Sequence, residues 1–152
     1  MKTYRYNAPF GIISFQTNEN RLISIQFTDP LYSDEEDPLS QEIRQQLDEY
    51  FIGTRKIFII PLYLEVTPFK ESVYDALQTI PYGETRTYKE IATMIDNPKA
   101  CRAVGNANNK NPIPIIIPCH RVVGTNGDLV GYAGGIEIKR YLLELERNSK
   151  DL

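Results

Sequence analysis

Residues 111–118 constrain this chain more than any other stretch. They read Asn-Pro-Ile-Pro-Ile-Ile-Ile-Pro. Pro112 and Pro114 remove backbone donors, so 111–114 cannot be helix. Ile115, Ile116 and Ile117 then form a short apolar run, read as a buried strand or extended segment. That run delivers Pro118-Cys119-His120-Arg121 into the interior, and the rest of the fold has to close around it.

The cysteine and histidine inventory narrows the chemistry. Cys101 and Cys119 are the two cysteines and His120 the one histidine among 152 residues. In a reducing compartment both thiols are expected to be free. This set lacks the paired spacing of a zinc motif, so no structural metal is expected. There is no basic segment followed by an apolar run near Met1, and the densest apolar run, 57–64, contains Pro61 and is too short to span a bilayer. The chain reads as cytoplasmic, with no membrane partner.

Net charge is −3, but it is unevenly spread. Residues 1–65 carry six Lys/Arg against ten Asp/Glu, or −4, and residues 66–152 carry eleven against ten, or +1. Within 84–121 six basic residues meet three acidic ones, giving +3. Such a patch permits phosphate contacts of moderate, salt-sensitive strength.

Along the chain, 12–17 and 21–28 are β-branched and aromatic runs. The second alternates Leu22, Ser24, Gln26 against Ile23, Ile25, Phe27, with a hairpin turn at 18–20 and a further strand over 4–7. Residues 29–37 form an acidic loop. Helical spacing of Leu39, Ile43 and Leu47 predicts a helix over 38–51, stopped by Gly53. Residues 57–60 read as a strand and 61–66 as a connection. A second helix starts at Thr67-Pro68 and runs to the stop at Pro81-Tyr82-Gly83. Thr87 opens a third with Glu90 as its capping box. Asn97-Pro98 caps a fourth that runs to about Asn108, and the last two make a helix-turn-helix. Residues 124–135 are glycine-rich loop, and 136–147 form a final amphipathic helix. These elements give an α+β fold: a small hairpin-and-helix lobe over 1–64 and a mainly helical lobe over 65–152.

Cys119 is the candidate nucleophile. A thiol attacks as its thiolate, and a free cysteine titrates near roughly 8.5, lower beside positive charge or a base. His120, Arg121 and the following glycine-rich backbone are expected to help. Adjacent side chains on an extended segment point to opposite faces, so Cys119 and His120 are expected to communicate through a bridging water. His120 also needs an orienting carboxylate, and spacing alone leaves Glu144 and Glu146 open. Read singly, Cys119 is equally a small buried hydrophobe. The helix over 99–108 has a face of Ala and Gly on which Arg102 is the one long central side chain. That suits close approach to a groove, though such geometry also occurs without DNA.

Taken together, Pro118-Cys119-His120-Arg121-Val122 resembles the O6-alkylguanine-DNA alkyltransferase family, the methylated-DNA–protein-cysteine methyltransferases. The resemblance covers 67–147. It includes Ile80-Pro81-Tyr82-Gly83-Glu84-Thr85, Tyr88 with Ile91-Ala92, Arg102-Ala103-Val104-Gly105, Asn111-Pro112-Ile113-Pro114, Gly131-Tyr132-Ala133-Gly134-Gly135, Lys139 and 142–146. The N-terminal lobe is similar only in outline, to the ribonuclease-H-like type.

The resemblance implies DNA repair by irreversible transfer of an alkyl group from O6-alkylguanine, and from O4-alkylthymine, to Cys119, one turnover per molecule and no cofactor. It implies that His120, through water, takes the thiol proton, that Glu146 holds His120 and that Asn111 braces the active-site turn. Tyr88 is implied to donate toward guanine N3 and to favour rotation of the nucleotide, and Arg102 to fill the gap in the duplex. The small-faced helix is implied to enter the minor groove of double-stranded DNA. Lys89, Asn97 and Thr125 are further candidate DNA contacts. Val122, Tyr132, Ala133 and Gly134 are implied to line the base pocket, and the protein to act as a monomer. Tyr74 stands where a Trp is frequent, and Ala133 where some members have Ser. Rival readings are a lesion binder that performs no chemistry, a transcriptional helix-turn-helix module and a cysteine hydrolase.

Overall fold

Three consecutive strand-forming segments build the first layer. A computed structural model describes residues 1–151, and Leu152, the last residue of the expected second lobe, lies outside them. Strands β1 (Lys2–Ala8), β2 (Gly11–Asn18) and β3 (Arg21–Gln26) pair antiparallel in that order. Tyr4, Tyr6, Ile13, Phe15, Leu22 and Ile25 face the core. The β2–β3 turn holds Glu19 and Asn20 at φ 49° and 62°. Two successive left-handed residues match the right-handed twist of a tight hairpin.

One departure from the expected strand is informative. Strict alternation would put Leu22 and Ile25 on opposite faces, yet both are buried. A register shift between Gln16 and Thr17 pairs Thr17 with Leu22 and Gln16 with Ser24. Ile23 is the extra residue of a bulge, and the bulge resets the phase.

Helix α1 (Pro38–Ile52) covers the sheet. Asp37 and Ser40 cap it reciprocally (Ser40 N to Asp37 Oδ1 2.8 Å, Asp37 N to Ser40 Oγ 2.9 Å), and Gly53 ends it at φ 97°. Leu39, Ile43, Leu47 and Tyr50 form its buried stripe. The expected strand over 57–60 is absent. The Gln46 side chain instead clasps this segment by its backbone, accepting from Ile59 N at 2.9 Å and donating to Ile59 O at 3.0 Å. An amide side chain here does the work of a partner strand, so no ladder forms. The chain rejoins the sheet only at the Leu22–Leu62 bridge.

Helix α2 (Pro68–Leu77) starts at Thr67 as expected but ends before Pro81, tightening through bonds from Thr79 N to Ala76 O and Ile80 N to Leu77 O. A two-residue strand, β4 (Arg86–Thr87), leads into α3 (Tyr88–Met94), capped by the Thr87–Glu90 box. Helix α4 (Cys101–Asn109) follows. Asn97 does not cap it. The N-cap is Ala100, which offers no side-chain bond, and Asn97 contributes its carbonyl to a turn that ends at Ala100 N. Tyr74 ties α2 to α4 through a 2.8 Å bond from its hydroxyl to Ala107 O.

Residues 115–117 are not a strand. Pro114 and Ile117 bridge each other, Ile117 N donates to Ile113 O at 2.9 Å, and Ile115 adopts φ 75°. Prolines at 112, 114 and 118 leave too few donors for a ladder, and the segment folds back on itself. The next three residues, Cys119–Arg121, form one 3₁₀ turn rather than extended chain. Strand β5 (Val122–Val123) then pairs parallel with β4. Helix α5 (Ile136–Ser149) closes the fold, and its buried face carries Lys139, Leu142, Leu143 and Glu146. A single apolar cluster runs from Tyr4 to Leu142 and joins both halves. Among the described residues no helix is long and apolar enough to cross a membrane.

The α3 cap sits immediately before Tyr88. Thr87→Ala removes the side-chain acceptor for Glu90 N and is expected to lower stability by about 1 kcal/mol, read as a lower urea midpoint at unchanged slope.

Candidate active site

A carboxylate with no exposure to water organises the site. Glu146 lies on the inner face of α5 and is fully buried. Its Oε2 meets His120 Nε2 at 2.6 Å, the Tyr50 hydroxyl at 2.7 Å and Arg121 Nη2 at 3.1 Å. Its Oε1 accepts from Arg121 Nε at 2.8 Å and from Gly83 N at 3.2 Å. Arg121 is anchored in turn on Ile80 O at 2.8 Å. Burial alone would raise the Glu146 pKa, but His120 and Arg121 outweigh it and hold the carboxyl well below the ordinary range.

An ionised carboxylate only accepts, so His120 Nε2 must carry the proton in that bond. Burial also holds the His120 pKa down, against the upward pull of Glu146, which keeps the ring neutral near pH 7. Nδ1 is therefore the basic nitrogen. It is buried and makes no hydrogen bond to the described residues. The 3₁₀ turn joins this ring to its neighbour Cys119, which is 3% exposed.

The thiol itself departs from expectation. Burial pushes Cys119 up to about 11, while Asn111 and the Lys139 charge pull the other way. Arg121 does not lower it, because its guanidinium is committed to Glu146. The resting sulfur is thus a neutral thiol. Lys139, unassigned by sequence reasoning, is fully buried and donates to Val130 O at 2.9 Å, with its own pKa lowered to about 8 by burial.

Asn111 spans the turn that presents Cys119, donating to Ile117 O at 2.7 Å and accepting from Ile113 N at 3.0 Å. Tyr88, half-buried at the start of α3, donates to Val130 O at 3.0 Å, so Tyr88 and Lys139 share one carbonyl. Burial and, secondarily, Cys119 raise the pKa of both Tyr88 and Tyr132. Tyr132 packs edge-on to Phe27 at 5.7 Å, which brings a β3-flanking ring from the sheet half against the 131–135 loop. A Cβ on Gly134 would stand 3.0 Å from that same ring. Ala133 is exposed and borders a cavity of about 350 Å³ with Gln26, Asn111 and Pro114. Val122 is instead wholly buried in strand pairing with Arg86.

The candidate DNA residues lie outside this cluster. Arg102 is exposed near the start of α4, beside exposed Ala103, with Asn106 and Asn109 along the same helix. Lys89, Asn97 and Thr125 are also exposed. No group of three or more metal-ligating side chains occurs among the described residues. Spacing left Glu144 and Glu146 open. The fold answers by burying Glu146 and exposing Glu144. Tyr50 carried no local signal, because it lies 96 residues from its partner.

Stability is expected to fall in two stages as the pH is lowered. Both groups have folded pKa values below their ordinary ones, so each adds stability above its unfolded pKa and loses it as pH falls. His120 contributes from 6.5 downward, where only the unfolded ring gains a proton, and Glu146 from 4.5 downward. Glu146→Gln is expected to remove the second stage and to cost about 3 kcal/mol at neutral pH, since Arg121 loses its buried partner. Thermal melts across the acid range measure both.

Comparison with known proteins gives a consistent result. The family model for the 6-O-methylguanine DNA methyltransferase DNA binding domain matches residues 68–148, and that for its ribonuclease-like domain matches residues 1–64. A methylated-DNA–protein-cysteine methyltransferase of Methanosarcina barkeri is 48% identical over 149 residues, 93% of this chain and 94% of the relative. The constitutive enzyme of that name from Bacillus subtilis is 54% identical over 115 residues, 75% of this chain and 70% of the relative. A crystal structure of Mycobacterium tuberculosis OGT in complex with DNA superposes with TM-score 0.89 at 41% identity, covering 98% of this chain and 94% of that one.

Proposed function

The chain belongs to the 6-O-methylguanine DNA methyltransferase family, whose work is DNA repair by alkyl transfer to a cysteine, and we propose that Cys119 is the acceptor here. The observation that carries this assignment is the buried dyad: His120 Nε2 on Glu146 at 2.6 Å, with Nδ1 left as a free base in the turn that holds the thiol. Cys101, by contrast, is a half-buried residue on α4.

The chemistry follows from these groups. His120 Nδ1 takes the Cys119 proton through a water, the sulfur attacks the alkyl carbon, and the guanine O6 departs as the base gains a proton. Glu146 stabilises the imidazolium that results. The product is a thioether that nothing in the site can cleave, so each molecule acts once. Lys139 adds positive charge toward the sulfur as it ionises. Asn111 holds the turn in register.

DNA is the partner, and we assign its recognition to the helix-turn-helix. The exposed Ala103 allows α4 to approach a minor groove closely, with Lys89, Asn97 and Thr125 near phosphates. A base inside the stack is unreachable, so the damaged nucleotide must be turned out, at a cost of a few kcal/mol. Arg102 fills the space it leaves. Tyr88 exchanges its bond to Val130 for one to guanine N3, and the loop of Tyr132, Ala133 and Gly134 borders the pocket. The same geometry admits O4-alkylthymine. We further propose that the protein acts as a monomer and is cytoplasmic, both of its cysteines being free thiols. The gap between the two family matches supports lobes divided near residue 64.

Incubation with a duplex containing O6-methylguanine is expected to leave one methyl on Cys119, seen by intact mass and peptide mapping, and none in Cys119→Ala. An unmodified sulfur, or several lesions repaired per molecule, would sink the assignment. Arg102→Ala is expected to slow repair of duplex roughly tenfold or more while reaction with a free O6-alkylguanine base stays near wild type, because only the duplex has a gap to fill. Equal slowing of both reactions would remove the gap-filling role.

A further inference from the structure

The Tyr50 hydroxyl reaches from α1, in the part of the chain matched by the ribonuclease-like model, into the active-site carboxylate. Tyr50 and Glu146 are both fully buried. Tyr50 Oη stands 2.7 Å from the same Oε2 that His120 Nε2 meets at 2.6 Å, and Arg121 Nη2 adds a third donor to that atom. A carboxylate oxygen offers about two lone-pair directions, so three donors on Oε2 compete. The strength of one bond must therefore set the strength of the others.

The phenol is fixed as well as close. The Tyr50 ring lies 5.3 Å from Phe51, 5.2 Å from Phe58 and 6.3 Å from Tyr82, so it has little room to swing its hydroxyl elsewhere. The charged and titratable groups facing Tyr50 are Glu146, Arg121 and Tyr82, and those facing His120 are Glu146, Arg121 and Lys139. Burial keeps the phenol well above its ordinary pKa, so it remains a proton donor at neutral pH. Core packing alone would be served by phenylalanine.

We propose that Tyr50 is a positioning residue for alkyl transfer: its O–H withdraws charge from Glu146 Oε2 and so holds the proton affinity of His120 low enough for Nδ1 to act as a base near neutrality. This rests on the roles given above to Cys119 and His120. Without the phenol, Glu146 grips the imidazolium more tightly and His120 stays protonated to higher pH.

The test is single-turnover transfer by the full chain from an O6-methylguanine duplex, followed against pH. Tyr50→Phe is expected to move the acid limb upward by roughly half to one pH unit, and so to lower the saturating rate constant at neutral pH by up to about threefold, with the half-saturating DNA concentration unchanged. Tyr6→Phe is the control: it loses a partly buried hydroxyl bond of 2.6 Å to Asp48, in the same half of the chain but away from the site, and keeps the wild-type rate and profile. Replacing Tyr50 with 3-fluorotyrosine, a more acidic phenol of nearly the same shape, is expected to move the acid limb downward, and it decides the question alone if Tyr50→Phe does not stay folded. A limb that neither replacement moves overturns the proposal, even if Tyr50→Phe is slower. If the wild-type protein gains no methyl group, the underlying assignment of Cys119 has failed instead.

Discussion

A carboxylate taken wholly out of water dictates much of this architecture. An isolated buried charge of this kind costs several kcal/mol even after relaxation. Glu146 is tolerable only because five donor groups converge on it: two from Arg121 and one each from His120, Tyr50 and the Gly83 backbone. These donors come from α1, from the loop after α2 and from the 3₁₀ turn before β5. Each of those elements has to be in place before the charge is satisfied. The two-strand β4–β5 pair, the early end of α2 and the tight turn at 111–118 all read as ways of bringing the donors to one point.

The same constraint sorts the chemistry. Because Glu146 stays ionised, the histidine tautomer is determined without any further contact, and the basic nitrogen faces away from the carboxylate. Because the neighbourhood is dry, the thiol is weakly acidic at rest. Low dielectric therefore keeps the base unprotonated and the nucleophile neutral at once. In the proposed transfer the two effects are reconciled when substrate takes up the sulfur's charge as the carbon–sulfur bond forms.

What was legible in the sequence was local. The hairpin turn at Glu19-Asn20, the α1 stripe and the Thr87–Glu90 box depend on residues a few positions apart, and all three are present. The bulge that turns Leu22 and Ile25 to one face is set by pairing with β2, which strand periodicity alone does not contain. The 57–60 segment has strand-like residues but is clasped by Gln46, so its composition misled. Segment 115–117 misled for a related reason: apolar content suggested a strand, while its prolines and a left-handed Ile115 make a turn. At the site, the Pro-Cys-His-Arg motif lies in the 3₁₀ turn that we propose to be reactive. Lys139 belongs to the stretch that carries the resemblance, but its role follows only from α5 turning it inward, and Tyr50 joins the site only through tertiary folding.

The shielding of the Cys119 sulfur bears on how the molecule endures between encounters with damage. In the proposed role of Cys119 a thiol that ends as a thioether is spent, so any reaction with peroxide or a passing electrophile would waste a whole polypeptide. Oxidants and alkylating metabolites attack the anionic form in solvent-exposed surroundings. Sequestered and protonated, this sulfur is held in an unreactive state by the same desolvation that raises its pKa.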